Sequence, residues 1–159
     1  MRSWQVIKVI FLDVDGVLNS ENFRESYIEE NGYDPFDFDE LDDRAIIRLK
    51  RIVKETEAKI VLSSSWRWDK KAYCTVKQQL FYKGLEIFDT TIIDIRRNMS
   101  RTEEIQLYLD EHSEVENYVI LDDDIIDYPL SNKWVRCLFK EGLTAEKANE
   151  AIEILGRKE

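Results

Sequence analysis

A three-layer α/β domain, its mostly parallel central sheet flanked by helices on both faces, is the fold this sequence predicts. Three observations predict it. Short apolar runs of strand length alternate with longer stretches of helical periodicity along the whole chain. The first run, Val6 to Leu12, is apolar at every position but Lys8, the pattern of a parallel strand covered on both faces. Acidic residues stand directly after two of the runs, at Asp13 and Asp15 and again at Asp122 to Asp124. The carboxyl ends of strands are where open α/β sheets gather their ligands.

The elements follow in order. Behind the first strand, Ser20 to Glu40 is polar, dotted with aromatics and closed by the acidic run Asp34 to Glu40, and it reads as a flap or minimal cap over the site. A helix is expected from about Leu41 to Glu57, with Leu41, Ala45, Leu49, Ile52 and Val53 on one face and acids in its first turn. Ile60 to Ser63 reads as a short buried strand. Tyr73, Val76, Leu80 and Phe81 mark the next helix, ended by Gly84, and Thr91 to Asp94 the next strand. Ser100-Arg101-Thr102-Glu103 is a capping box opening a helix that turns Ile105, Tyr108 and Leu109 inward. Tyr118 to Leu121 is a further buried strand, Trp134 to Phe139 the last strand, and Thr144 to Leu155 the last helix. There is no internal repeat, low-complexity segment or linker.

Length and composition bound the function. The 159 residues are expected to form one domain, large enough to bury a single core. With 43% hydrophobic and 35% charged residues the chain has the balance of a soluble globule, and its longest apolar run is too short for a membrane span or a signal peptide. Cys74 and Cys137 show neither CxxC spacing nor a disulfide-rich pattern, so both read as packing residues in a reducing cytoplasm, with no disulfide-linked partner. A net charge of −10 disfavours tight nonspecific binding of nucleic acid by the surface as a whole, though not a local basic pocket. The lone His112, at a helix end, reads as a capping or surface residue.

The chemistry concentrates at strand ends. Asp13 and Asp15 alternate along an extended segment, so they point the same way at different depths, and a glycine turn follows at once. Two like charges that close are costly unless a cation or a proton offsets one of them. A metal ion and an acid-base role supply both. A calcium loop is excluded, because its third ligand position and closing Glu are missing and the preceding segment is strand-like. Asp122, Asp123, Asp124 and Asp127 crowd a later strand end in the same manner. Ser63, Ser64 and Ser65 follow a buried strand, where hydroxyls end the strand, cap the next helix or meet a ligand. Trp66 is then a core residue or a substrate wall, and Arg67 a candidate phosphate clamp.

The segment Phe11-Leu12-Asp13-Val14-Asp15-Gly16-Val17-Leu18-Asn19 resembles the first signature of the haloacid dehalogenase-like (HAD) phosphatase superfamily. More narrowly, this segment together with Ile-Val-Leu-Ser-Ser-Ser-Trp-Arg, Ser-Arg-Thr-Glu-Glu-Ile-Gln-Leu-Tyr-Leu, Val-Ile-Leu-Asp-Asp-Asp and Glu-Gly-Leu-Thr resembles the small HAD domains associated with Swiss-Army-knife RNA repair proteins, across residues 6 to 155. The resemblance implies a Rossmann-like fold with the first and fourth strands adjacent at its centre, no large cap domain, and a Mg²⁺-dependent phosphatase. Asp13 would be the nucleophile that is transiently phosphorylated, and Asp15 the acid that protonates the leaving oxygen and then activates water. The resemblance also implies Ser64 as the phosphate-binding hydroxyl, with Ser63 its rival. It implies Arg101 as the basic residue where the superfamily commonly has Lys, with Arg96 and Arg97 as alternatives. Mg²⁺ would be held by Asp13, the Asp15 carbonyl and Asp123, with Asp122 a close rival and Asp127 behind them. An uncapped site implies a phosphate at the end of a polymer such as a nucleic acid, with Trp66, Arg67, Arg96 and Arg97 around the terminal nucleotide. Two alternatives remain: a catalytically silent binding module of the same fold, and a receiver-like phosphoacceptor domain, against which the Asp-x-Asp spacing speaks.

Overall fold

The computed structural model describes residues 5–156. Five strands, β1 (Ile7–Leu12), β2 (Lys59–Leu62), β3 (Ile87–Thr90), β4 (Val115–Asp122) and β5 (Trp134–Arg136), form one sheet in the order β3-β2-β1-β4-β5. Every pairing is parallel, so the sheet is wholly rather than mostly parallel. β1 lies beside β4, and the strand order reverses between them, which opens a crevice at their carboxyl ends.

Alternation along β1 builds the layers. Ile10 and Leu12 face one way and join Leu49 and Ile52 of α2 (Asp43–Thr56), Val76 and Leu80 of α3 (Lys70–Tyr82), and Ala148 and Leu155 of α5 (Ala145–Gly156). Val9 and Phe11 face the other way, with Ile105 and Tyr108 of α4 (Arg101–Glu111). Phe11 packs edge-on against Tyr108 and Tyr118, with ring centroids 5.6 and 5.8 Å away. Truncating this buried ring to Ala should cost about 3–5 kcal/mol. The helix starts follow local chemistry: Asp42 accepts from the Arg44 amide, and Ser100 from the Glu103 amide.

The structure corrects several expectations. Ser20 to Glu40 contains a helix, α1 (Glu21–Asn31), followed by a 3-10 turn at Pro35–Phe38. No residue of α1 is buried, so it carries no apolar stripe to betray it, although Ser20 caps its start and Gly32 (φ 81°) its end. The third strand falls at Ile87–Thr90 instead of Thr91 to Asp94. As an edge strand with Phe88 52% exposed, it lacks the continuous apolar run of the central strands. β5 stops at Arg136: the Cys137 amide makes the last bond to β4, at the Asp122 carbonyl, and the chain then turns at Leu138, whose carbonyl accepts from the Glu141 and Gly142 amides. Cys137 is buried, but Cys74 is exposed and does not pack; both thiols are free. His112 caps the end of α4 and stacks on Tyr108. Among the described residues no helix is long and apolar enough to cross a membrane.

Candidate active site

Strand register assembles the site. Leu12 pairs with Leu62 on one side and Leu121 on the other, so the next residues, Asp13, Ser63 and Asp122, form a row across the carboxyl edge of the sheet. The amides of Asp13 and Ser63 continue the ladder, donating to Leu121 and Leu12 carbonyls at 2.9 Å each. Alternation puts this row on the same face as Val9, Phe11, Val61 and Ile120, the face that α4 covers. Arg101, the first residue of α4, therefore meets it. Its Nη1 lies 3.5 Å from Asp13 Oδ1 and donates to Asp122 Oδ2. Burial works against the Arg101 charge, but Asp122, Asp13 and Glu104 outweigh it and hold its pKa above the usual value.

Carboxylate oxygens of Asp13, Asp122 and Asp123 lie within 4.8 Å of one another. Burial, and then the neighbouring Asp13, push Asp122 up to about 8 and Asp123 up to about 7. Such a cluster could hold a cation, and an all-oxygen donor set suits a hard one such as Mg²⁺. The two later acids differ. Asp122 is fully buried, and its carboxylate is taken up by Arg101 and by the Asp124 amide. Asp123 instead lines, with Asp13, Asp15, Ser65, Arg101 and Asp124, an open pocket of about 360 Å³. Gly16 makes room for it: the backbone there has φ +80°, and a Cβ would stand 2.3 Å from Asp123 Oδ2.

Asp15 is exposed, on the turn beyond Asp13, and two donors orient it. Asn19 Nδ2 reaches its Oδ1 at 3.0 Å, and Trp66 Nε1 its Oδ2 at 3.1 Å. Asn19 also accepts from the Gly16 amide, which closes the turn. The Trp66 contact spans 51 residues and no local pattern announces it, whereas Asn19 lies only four residues beyond Asp15 in the same turn.

The serines divide their roles. Ser64 is buried and its hydroxyl caps the 3-10 turn Ser65–Trp68 by accepting from the Trp66 amide. Ser63 Oγ is buried without a hydrogen-bond partner, and Ser65 is the serine that faces the pocket. Arg67 lies beneath the site, not at its mouth. Its donors go to the carbonyls of Ser63, Ser64 and Ile92 and to Glu104, which in turn pairs with Arg101 at 3.6 Å. Burial lowers the Arg67 pKa against the support of Glu104, and burial raises that of Glu104 against the pull of Arg67 and Arg101. Arg67 thus braces the Arg101 that faces the pocket. Arg96 is bound to Asp94 and largely exposed, Arg97 is exposed, and neither lines the pocket. Asp127 is exposed as well, its amide bonded to Thr102.

A family model described as the HAD domain in Swiss Army Knife RNA repair proteins matches residues 9–148, from the middle of β1 into α5. No curated protein and no solved structure matches the chain. The matched span takes in every strand end that builds the pocket, together with the parallel sheet whose first and fourth strands meet at its centre, and on that ground the chain belongs to this HAD family.

Proposed function

We propose that this domain is a Mg²⁺-dependent phosphomonoester hydrolase that works through an aspartyl-phosphate and takes the terminal phosphate of a nucleic acid as substrate. The observation that carries the reading is the convergence of Asp13, Asp123 and Arg101 on one open pocket, with a separately oriented carboxylate, Asp15, at its edge. Asp13, Asp123 and the backbone carbonyl of Asp15 would hold Mg²⁺, which supplies charge neutralisation for the nucleophile and the phosphoryl oxygens. In the first step an Asp13 carboxylate oxygen bonds to phosphorus as the bond to the leaving oxygen breaks, and Asp15 gives its proton to that oxygen. In the second, Asp15 takes a proton from water, whose oxygen attacks phosphorus and releases inorganic phosphate from Asp13. Arg101 and the turn Ser63–Ser65 hold the equatorial oxygens where charge develops. Within that turn the orphaned Ser63 hydroxyl and the pocket-facing Ser65 now compete with Ser64 for the phosphate.

The nucleic-acid part of the reading is supported by the family's association with RNA repair. Turnover of p-nitrophenyl phosphate with Mg²⁺ and its loss with chelator test the reaction. Comparing kcat/KM for terminally phosphorylated oligonucleotides, mononucleotides and phosphopeptides tests the substrate, and a clear preference for phosphopeptides removes the nucleic-acid reading. A domain that turns over no ester with any divalent cation is instead a silent module of the same fold.

A further inference from the structure

A second cavity, of about 280 Å³, opens on the far side of Asp15 from the nucleophile. Asp15 lines both cavities, so an alcohol whose oxygen it protonates can extend into this one. Its walls are Phe36 and Trp66, and its polar lining is Asn19, Asp39, Glu40 and Asp69 beside Asp15 itself. No Lys or Arg lines it. Arg24, whose guanidinium lies 5.1 Å from the Phe36 ring centroid, is bound to Asp34.

Resting on the phosphatase reading above, we infer that this cavity is the leaving-group subsite and that it selects an uncharged, ring-bearing alcohol, a nucleoside, while repelling alcohols that carry an anion near the leaving oxygen. Ionised carboxylates only accept hydrogen bonds, so they pair with the hydroxyls of a ribose and with the exocyclic amino groups of a base. Phe36 and Trp66 offer π faces on which a base stacks. The same carboxylates meet a second anion with no Lys or Arg in the lining to offset it, which is specificity built from repulsion. The size, at the small end for ligand clefts, suits one nucleoside, so a longer strand leaves through the mouth with its phosphodiesters in solvent.

The test compares kcat/KM for glycerol phosphate and phosphoglycerate, which differ by one carboxylate in the leaving group, alongside a nucleoside monophosphate. The wild-type domain should favour glycerol phosphate over phosphoglycerate by about tenfold or more, the scale of several like charges at short range in wet surroundings. The combined variant Asp39→Asn, Glu40→Gln, Asp69→Asn should collapse that ratio to near unity. Asn suits both the left-handed backbone of Asp39 (φ 54°) and the helix cap at Asp69, so the variant retains its local backbone. Phe36→Ala should raise KM for the nucleotide more than that for glycerol phosphate. Equal use of the two small esters by the wild type, or a ratio unmoved by the neutralised lining, overturns the subsite while leaving the phosphatase standing. Absence of turnover with all esters, p-nitrophenyl phosphate included, removes both; calorimetric binding of the same esters to Asp13→Asn reads the preference where turnover is slow.

Discussion

Replacing Gly16 by Ala probes the proposed metal site without replacing an acid. The added Cβ would stand 2.3 Å from Asp123 Oδ2, 2.6 Å from its Cγ and 2.9 Å from its Cβ, whereas ordinary contact begins at 3.4 Å. The Asp123 carboxylate must therefore retreat by about 1 Å, a misplacement on the scale that costs on the order of 10²-fold in rate. Ala at φ +80° adds a backbone cost of about 1–2 kcal/mol, or a few degrees of Tm. Gly32 separates the two effects, since its φ is +81° and nothing lies within 4 Å of the Cβ it lacks. Gly16→Ala and Gly32→Ala should lose similar stability by thermal unfolding, but only Gly16→Ala should lose turnover and shift the Mg²⁺ concentration for half-activation upward. A Gly16→Ala protein with wild-type magnesium dependence would refute the placement of Asp123 at the metal.

Three further outcomes are expected. Asp123→Ala should weaken Mg²⁺ activation more than Asp124→Ala or Asp127→Ala, and Asp122→Ala should act mainly by releasing Arg101; titrating activity against Mg²⁺ for the four variants separates these effects, and a magnesium shift confined to Asp122→Ala contradicts the assignment. Arg67→Met takes the guanidinium from Glu104 and from the carbonyls of Ser63, Ser64 and Ile92, of which Ser64 keeps the Arg67 amide as a donor, so it should cost roughly 3–5 kcal/mol in denaturant unfolding; a raised KM at unchanged stability would make Arg67 a phosphate clamp instead. Asp122 and Asp123, raised from 3.8 to about 8 and about 7, keep protons in the folded metal-free protein that the unfolded chain has lost. Their contribution to stability is complete below about pH 4 and is lost as pH rises through 7–8, so stabilisation by Mg²⁺ should grow across that window, as Tm with chelator and with Mg²⁺ would show.

The order of elements and the strand-end acids were legible because their signals are local. Val6 to Leu12 announces a buried strand, Ser100 to Glu103 a helix start, and Asp13 and Asp122 then fall at strand ends by counting. Where the signal is weak, the reading slipped. β3 is an edge strand with one partner, and α1 buries nothing, so neither carries the periodicity that burial imposes. The roles that depend on distant partners were out of reach. Arg67 after a strand looks like a clamp until α4 brings Glu104, 37 residues on, against it, and Trp66, which packs against the core and lines the second cavity, shows in sequence no sign of the bond from its indole to Asp15.

The central claim is that Asp13 carries the phosphoryl group. Asp15→Asn should slow the reaction by roughly 10²- to 10⁴-fold and prolong the covalent state, since in the proposed mechanism Asp15 also activates the water that ends it. The direct measurement is the mass of the Asp13-bearing peptide after acid quench of Asp15→Asn protein turning over a phosphate ester with Mg²⁺, with Asp13→Asn as the blank. A peptide heavier by one phosphoryl group, only when Asp13 and Mg²⁺ are both present, is the predicted result. An unmodified peptide during turnover, with Asp13→Asn retaining most of the activity, would contradict it.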